Sequence, residues 1–327
     1  MDVAIAQFRR YSASMAKAVD ESGALINDRY HLQARIARGG VGVVYRAEDL
    51  AVNRAVAFKI SREANTTSCA DFANERARLS AIDHPGVPKV YEAGRLEDGR
   101  SYLVTEWIVG QSLEALVLQS SITLPNALTV GVAIADVLIA LHTSRVLHRD
   151  IKPLNVLIPF VESSPHFEGA KVIDFGIAAD MTERTIRGEP STPFGKRGGT
   201  PIYMAPEQIA GHRQTAAADV FGLGATLFFM LYHRPPMGDG PVPRAALSFA
   251  SMPHIMCGPF IERRLTEEIA LPNEPFYPAA LRDLVTALTR RSPGERLPTA
   301  LEVRRHLRDL QGSLLRDPDN STGSPHL

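Results

Sequence analysis

The stretch from His148 to Asp174 constrains this chain more than any other part of its sequence. A carboxylate, Asp150, is followed by an ammonium, Lys152, and an amide, Asn155, and the stretch ends on a second carboxylate, Asp174. Short apolar runs typical of buried strands surround these groups. Because burying an unpaired ion is costly, polar groups at the mouth of a buried hairpin indicate a bound ligand.

Transfer of a phosphoryl group from ATP requires such a set of groups. A carboxylate takes the proton of the accepting hydroxyl, a cation stabilises the moving phosphate, and oxygen ligands hold Mg²⁺. A lone aspartate in a loop is most often a turn or capping residue. The combined pattern His-Arg-Asp-x-Lys-x-x-Asn followed by Asp-Phe-Gly is far more specific, and it resembles the catalytic and metal-binding loops of the protein kinase family.

The resemblance is to the eukaryotic-like, bacterial-type Ser/Thr kinases, because a lysine stands two residues after Asp150. It implies that Asp150 orients a Ser or Thr hydroxyl and accepts its proton, while Lys152 neutralises the γ-phosphate. Asn155 and Asp174 would hold Mg²⁺ or Mn²⁺. Arg149 would receive a phosphate carried by the activation segment.

A glycine-rich segment resembles the hairpin with which protein kinases cover ATP. Glycine lets the backbone approach phosphates and present its N–H groups to them. Ala37 stands where the family usually has its first glycine, and a strand backbone there would tolerate the methyl group. Taken alone, such a turn is as often a plain hairpin as a phosphate site. The residues of this segment predicted to contact the nucleotide are Ile36, Gly39, Gly40, Gly42 and Val44.

The strand that follows predicts further nucleotide contacts. Because side chains alternate along a strand, Ala57 and Lys59 share one face. The resemblance implies that Ala57 lines the adenine slot and that Lys59 holds the α- and β-phosphates. Glu75, on a helix predicted over residues 70–82, would fix Lys59, although an exposed helix glutamate is by default solvated.

The segment after the predicted small lobe resembles the hinge between kinase lobes. Thr105 would lie at the back of the nucleotide pocket, where a small hydroxyl side chain leaves room. The main-chain groups of Glu106 and Ile108 would bond to the edge of adenine.

The polar segment between Asp174 and Ala205-Pro206-Glu207 resembles the kinase activation segment. It is either a disordered surface loop or a switch, because a phosphate adds roughly −1.5 to −2 charges and can order a loop by pairing with arginines. The resemblance predicts phosphorylation in trans between two copies that form a transient homodimer. The candidate regulatory residues are Thr182, Thr185, Ser191, Thr192 and Thr200, the last of which would bridge Asp150 and Lys152.

The implied fold class is α+β, with a two-lobed protein kinase fold that holds ATP between its lobes. A small antiparallel β lobe of five strands and one main helix (29–105) would lead through a hinge (106–110) to a larger, mainly helical lobe (111–311). Residues 1–28 form a predicted N-terminal extension whose apolar spacing favours a helix, which would pack on the small lobe or bind a partner. Residues 312–327 are polar and predicted to be disordered.

Three local features of the second lobe carry their own predictions. The segment from Pro159 to Gly169 is interpreted as an insertion at a hairpin tip, which is either a peripheral elaboration or a docking site. Asp219 is either the N-cap of an apolar helix or a support for the catalytic loop. Arg296 resembles the arginine that pairs with Glu207 in the family.

Composition favours a reduced, cytoplasmic protein. Lys+Arg and Asp+Glu number 36 each, so no net charge attracts nucleic acid or an acidic membrane surface. The two cysteines, Cys69 and Cys257, lack the spacing of a metal site. The longest apolar run, from Ala127 to Leu141, is shorter than the roughly 20 residues that span a bilayer, which predicts a core helix and no membrane anchor.

The predicted function is ATP-dependent phosphorylation of Ser and Thr hydroxyls in protein substrates, including the chain's own activation segment. A pseudokinase scaffold is one alternative, and Ala37 is the feature in its favour. A small-molecule phosphotransferase is another, but it should lack the Gly-Thr-Pro and Ala-Pro-Glu elements that shape a peptide site.

Overall fold

A computed structural model of the chain describes residues 20–38, 42–61, 82–119, 122–174, 201–236, 263–272 and 277–316. The chain divides into two compact units. The described residues of one unit are 20–38, 42–61 and 88–107, and they are built on a β-sheet. The other unit holds residues 82–87, 108–174 and the described residues from 201 onwards, and it is mainly helical. The predicted α+β class is confirmed.

The first unit is an antiparallel sheet of six described strands in the order β1-β2-β3-β4-β6-β5. Phe58 stands at the centre of its core, with its ring 5.0 Å from that of Tyr102 and 5.2 Å from that of Tyr30. Aromatic pairs at this separation stabilise a core beyond the area that they bury. The strands are β1 (Leu25–Ile26), β2 (Tyr30–Arg38), β3 (Gly42–Asp49), β4 (Arg54–Ser61), β5 (Val90–Arg95) and β6 (Ser101–Glu106).

The sixth strand corrects the prediction of five strands. β1 lies within residues 1–28, which were predicted as an extension with helical spacing, and it pairs with β2 through Leu25 and His31. The contact reaches further back, because the N–H of Glu21 donates to the hydroxyl of Tyr45. A two-residue strand is too short to show an alternating pattern, so the sequence gives no sign of it. The predicted helix itself falls largely on residues 1–19, outside the described residues.

The second unit surrounds one apolar helix, α4, in which every residue from Ala217 to Leu231 is buried. The hydroxyl of Thr215 caps its N-terminus by accepting from the N–H of Ala217, and the helix ends at His233 in the left-handed conformation. Helices α2 and α5 pack against it. Within the described ranges the helices are α1 (Leu113–Gln119), α2 (Leu124–Thr143), α3 (Pro206–Ile209), α4 (Ala216–Tyr232), α5 (Ala279–Leu288) and α6 (Ala300–Arg316).

Helix α2 is longer than the apolar run that predicted it. It has 20 residues, so by length and composition alone it could cross a bilayer, and the argument from a short run is wrong. Core helices of soluble proteins pass the same test, however, and half of this apolar stretch is buried inside the unit. Its buried side chains pack against α4 and α6, which is the packing of a core helix.

A second, smaller sheet carries the predicted insertion. Its strands are β7 (Gly110–Ser112), β8 (Val156–Val161), β9 (Ser164–Pro165) and β10 (Lys171–Val172), with β8 paired to all three others. Glu162 and Ser163 join β8 to β9 with φ of 49° and 68°. Two left-handed residues suit the tight turn of a two-residue hairpin. Residues 161–166 are all exposed, so the insertion is a short hairpin on the surface of this unit.

Two predicted boundaries are wrong. Residues 82–87 were placed in the small lobe but belong to the second unit, because the N–H of Val172 donates to the carbonyl of Gly86 at 2.9 Å. The C-terminal tail was predicted to be disordered from residue 312, but α6 continues to Arg316. The amide of Gln311, on that last stretch of α6, donates to the hydroxyl of Thr129 on α2.

Candidate active site

Predicted nucleotide-binding residues share one face of the six-stranded sheet. Val44 lies opposite Lys59 across β3 and β4, and Ala57 lies opposite Thr105 across β4 and β6. All four side chains are half-buried, whereas Phe58 and its neighbours on the other face fill the core. The prediction that Ala57 and Lys59 share a face is confirmed. These four side chains combine small and apolar groups with the cation of Lys59, which suits a flat base and its phosphates.

The glycine-rich segment is described at its two ends. Ala37 lies in β2 opposite Val44, so its methyl group stands on strand backbone as expected. Ile36 is 53% exposed. A Cβ on Gly42 would collide with the carbonyl oxygen of Ile60 in β4, so strand packing requires this glycine whether or not phosphate binds. Gly39 and Gly40 lie outside the described residues.

The predicted hinge is anchored to the loop before β5. The N–H of Glu106 donates to the carbonyl of Lys89 at 2.9 Å, and its carboxylate accepts from the N–H of Lys89. A main-chain hydrogen bond between Glu106 and adenine would therefore have to use the carbonyl of Glu106. The boundary between the two units falls directly after Trp107, so Ile108 belongs to the second unit.

Three predicted catalytic and metal-binding side chains meet in the second unit. Asp150 is buried, and its Oδ2 accepts from the ammonium of Lys152 at 2.7 Å and from the amide nitrogen of Asn155 at 2.9 Å. Such charge-assisted bonds are short and orient a carboxylate. Because both donors bind Oδ2, Oδ1 is the oxygen that could accept a proton without breaking them. The arrangement suits a base beside a cation that can bind a phosphate.

Asn155 and Asp174 provide the kind of ligand that Mg²⁺ prefers. The amide nitrogen of Asn155 also donates to the carbonyl of Asp150, so its amide oxygen is the atom that could bind a metal. Asp174 is exposed and follows β10. Mg²⁺ is commonly held by one or two such side chains together with substrate phosphates and water. These two residues therefore fit the ion that the family uses.

The backbone is strained at two of the predicted site residues. Arg149 and Asp174 both have a φ of 67°, in the left-handed region that non-glycine residues seldom adopt. Such residues cost about 1–3 kcal/mol each and persist only where the surroundings hold them. Here the N–H of Arg149 donates to the carboxylate of Asp219, and the N–H of Ile173 donates to the carbonyl of Asn155.

His148 joins the catalytic loop to the segment that carries Asp174. Its Nδ1 accepts from the N–H of Asp150 at 3.2 Å, so its Nε2 is the protonated nitrogen and donates to the carbonyl of Ile173 at 3.1 Å. Burial lowers the pKa of His148 and outweighs the nearby carboxylates Asp219, Asp150 and Asp174, which act to raise it. A neutral imidazole thus connects the two loops.

Asp219 supports the catalytic loop, and the N-cap alternative is wrong because Thr215 caps α4. The carboxylate of Asp219 accepts from the N–H of His148 at 3.0 Å and of Arg149 at 2.6 Å. Its Oδ2 also lies 2.8 Å from Nε2 of His142. Burial alone would raise the pKa of Asp219, but the bonds from His142 and the loop hold that pKa below its usual range.

Sequence reasoning missed His142 as part of this cluster. Its only signal was a histidine at the end of the apolar helix α2, just before the catalytic stretch. The contact itself depends on how α2 packs against α4.

The predicted pair of Glu207 and Arg296 is confirmed. The guanidinium of Arg296 forms two bonds to the carboxylate of Glu207, at 2.6 and 2.8 Å, and both side chains are buried. Arg296 also donates to the carbonyl of Ala217 at the start of α4. The neighbouring side chain of Gln208 donates to the carbonyl of Arg149 at 2.8 Å. The Ala-Pro-Glu element is thereby attached both to the core helix and to the catalytic loop.

Several predicted site residues lie outside the described residues, and their roles stay predictions. They are Glu75 and the candidate regulatory residues Thr182, Thr185, Ser191, Thr192 and Thr200.

Comparison with known proteins agrees with this geometry. The family model "Protein kinase domain" matches residues 30–307. The serine/threonine-protein kinase PrkC of Bacillus subtilis is 31% identical over 285 residues, covering 86% of this chain and 40% of PrkC. Pkn3 of Myxococcus xanthus is 31% identical over 286 residues, covering 86% of this chain and 46% of the relative.

PknK of Mycobacterium tuberculosis is 31% identical over 286 residues, covering 84% of this chain and 23% of PknK. The chain therefore spans less than half the length of these three relatives. The match of the family model to most of the sequence shows that the chain belongs to the protein kinase family.

Proposed function

We propose that this chain is an ATP-dependent protein kinase that transfers the γ-phosphoryl group to Ser and Thr hydroxyls of protein substrates. The observation that carries the proposal is the cluster of Asp150, Lys152 and Asn155, whose hydrogen bonds of 2.7 and 2.9 Å hold a buried carboxylate beside a cation. A purely structural ion pair between Asp150 and Lys152 would not require the amide of Asn155. In phosphoryl transfer each of the three groups has a use.

The roles of the residues follow from their chemistry. Mg²⁺-ATP, when bound, supplies the phosphoryl group and an ion that offsets its charge. Oδ1 of Asp150 orients the substrate hydroxyl and takes its proton, while Lys152 stabilises the charge on the moving phosphate. Lys59, on the half-buried face of the sheet, holds the α- and β-phosphates. Placement and charge stabilisation account for the rate acceleration, because the protein forms no covalent bond to the phosphate.

We also propose that the kinase phosphorylates its own activation segment in trans, through a transient homodimer. Support comes from Arg149, a buried guanidinium directly before Asp150 on a strained backbone. A phosphate paired with this cation would tie the activation segment to the catalytic loop. A cytoplasmic location belongs to the same proposal and is supported by the two widely separated cysteines.

The proposal is tested by labelling a generic basic protein with ³²P from ATP. We expect Asp150→Ala and Lys59→Met each to abolish transfer and to leave the fold intact by circular dichroism. The matched controls are Asp309→Ala and Lys89→Met, which change the same residue types at exposed positions. The controls should keep wild-type transfer. Strong labelling by either active-site variant would contradict the role assigned to that residue.

A thermal-shift titration with Mg²⁺-ATP, followed by labelling of the generic basic protein, separates this proposal from the alternatives. A pseudokinase scaffold, for which Ala37 argues, would bind nucleotide and label nothing in the wild-type form. A small-molecule phosphotransferase would turn over ATP without labelling a protein. Either result from the wild-type chain would overturn the proposed function.

A further inference from the structure

The helix that carries Asp219 also meets the catalytic loop at a second point. Gly222 lies three residues after Asp219, and residues at this spacing share a face of a helix. A Cβ built on Gly222 would stand 2.8 Å from the carbonyl oxygen and 2.9 Å from the Cβ of Ile151. Ile151 is the residue directly after Asp150. The loop therefore lies against α4 at a position where the helix has no side chain.

The crowding at Gly222 involves main-chain atoms that cannot turn aside. The nearest atom to the added Cβ is the carbonyl oxygen of Ile151, and the carbonyl carbon follows at 3.5 Å. Ordinary contacts begin near 3.4 Å, so a methyl group at this position would require a shift of roughly half an ångström, because protein interiors hold little spare space. Helix α4 is buried from Ala217 to Leu231 and packs against α2 and α5, so we expect the catalytic loop to take up the shift.

Helix propensity does not explain a glycine here. Glycine in a helix interior is less favourable than alanine by about 1 kcal/mol. A helix that needed only to fill the core would gain from a methyl group. The close approach of Ile151 supplies the reason why position 222 has none.

We propose that Gly222 is a positioning residue for phosphoryl transfer. It works with Asp219 on one face of α4: the carboxylate holds the N–H groups of His148 and Arg149, and the bare Cα lets Ile151 come close enough for those bonds to form. The pair sets the position of Asp150, which lies between these contacts. This inference rests on the proposed function, because it assigns Gly222 a part in the same reaction.

Helix α4 offers a matched control two residues further on. A Cβ on Gly224 would stand 2.6 Å from the Cβ of Leu288 and 2.9 Å from Cγ2 of Thr289, in and just after α5. Gly224→Ala makes the same chemical change on the same helix with similar crowding. The atoms nearest to the added Cβ belong to Leu288 and Thr289 and not to the catalytic loop. A milder control is Gly131 on α2, where a Cβ would meet only the side-chain ends of Leu227 and Leu307, at 3.0 and 3.2 Å.

The first readout is the single-turnover rate of ³²P transfer together with the Kd for Mg²⁺-ATP. We expect Gly222→Ala to slow transfer at least about tenfold, because a shift of about 1 Å can cost a hundredfold. The Kd should change by less than about twofold, because most of the predicted contacts to the base and its phosphates lie on the β-sheet, away from Gly222. Gly224→Ala and Gly131→Ala should retain the wild-type rate within about threefold, even if Gly224→Ala loses more stability in urea.

The second readout does not depend on activity. Hydrogen exchange of a peptide covering residues 146–152 reports the N–H groups that bond to Asp219. It should speed up in Gly222→Ala and stay at the wild-type rate in Gly224→Ala. If the wild-type chain transferred no phosphate, the proposed function would fail, and this exchange would still decide the role of Gly222.

Three results would overturn the inference. One is wild-type transfer and wild-type exchange in Gly222→Ala. Another is an equal loss of transfer in Gly222→Ala and Gly224→Ala, which would indicate a general packing effect. The third is an unfolded Gly222→Ala beside a folded Gly224→Ala, because a positioning role leaves the fold intact.

Discussion

His148 shows how single residues in this site depend on burial and on charge. Its side chain is fully buried, and each of its ring nitrogens bonds to a main-chain group, one at Asp150 and one at Ile173. A protonated imidazole would have no acceptor for the main-chain N–H of Asp150. Burial of the side chain disfavours the charged form and lowers the pKa of His148 from its usual 6.5.

The first prediction concerns the pH dependence of stability. Because folding lowers the pKa of His148, the unfolded chain binds a proton that the folded chain excludes. The contribution of neutral His148 to the free energy of unfolding is therefore fully present above pH 6.5. It is lost as the pH falls from there through the folded-state pKa of His148. We expect His148→Asn, which keeps an acceptor and cannot be charged, to reduce the slope of unfolding free energy between pH 7 and pH 5, by up to about 1.4 kcal/mol per pH unit.

Urea titrations of both proteins at several pH values measure these slopes. The carboxylates that face His148, which are Asp219, Asp150 and Asp174, remain in both proteins and contribute to both slopes. The difference between the slopes therefore reports His148. Equal slopes would mean that this histidine takes up no proton on unfolding.

For single residues, the sequence predicts which face of a strand a side chain occupies better than it predicts hydrogen bonds between distant positions. The shared face of Ala57 and Lys59 follows from the two-residue period of a strand, which holds wherever the strand forms. The bonds that Asp219 makes to His142 and the catalytic loop join positions more than 70 residues apart. No local pattern encodes them, so sequence reasoning left two roles open for Asp219 and missed His142.

Among the elements, α3 is attached to the rest of its unit by a buried ion pair and by the bond from Gln208 to the carbonyl of Arg149. Both carboxylate oxygens of Glu207 accept from Arg296, which precedes α6. Removing one partner leaves an uncompensated buried charge, whose cost exceeds the net value of the intact pair. The pair thus joins this four-residue helix to the guanidinium of Arg296, which also donates to the start of α4.

The second prediction is that Arg296→Met lowers the free energy of unfolding by about 3–5 kcal/mol, because Glu207 stays buried without its partner. The matched control is Arg304→Met. Arg304 also pairs with a carboxylate, Asp136, at 2.7 Å, but both side chains are about 30% exposed. Water screens such a pair, so its loss should cost no more than about 1 kcal/mol. Urea denaturation of the two variants measures the difference, and similar losses would show that burial does not set the cost.

The elements that the sequence failed to predict are those that depend on tertiary contacts. The strand β1 is too short for a pattern and exists because β2 offers it a partner. Helix α6 runs past its predicted end while its polar residues still bond to α2, as Gln311 does to Thr129. Composition suggested disorder for residues 312–316, but α6 continues through them to Arg316.

At the scale of the whole molecule, each compact unit arranges its own part of the predicted chemistry. The sheet presents Val44, Ala57, Lys59 and Thr105 on one face, and the helical unit holds Asp150, Lys152 and Asn155 within hydrogen-bond distance of one another. The α+β class was predictable because the sequence motifs resemble those of the protein kinase family, and the resemblance implies that fold.

The claim at the centre of this account is that the stretch from His148 to Asp174 transfers phosphate from ATP. Intact-mass and peptide mass spectrometry of the purified chain after incubation with Mg²⁺-ATP tests it most directly, because we propose the chain as its own substrate. We predict added phosphoryl groups on Ser or Thr residues of the wild-type chain and none on Asp150→Asn. Equal phosphorylation of both proteins, or none on either, would contradict the account.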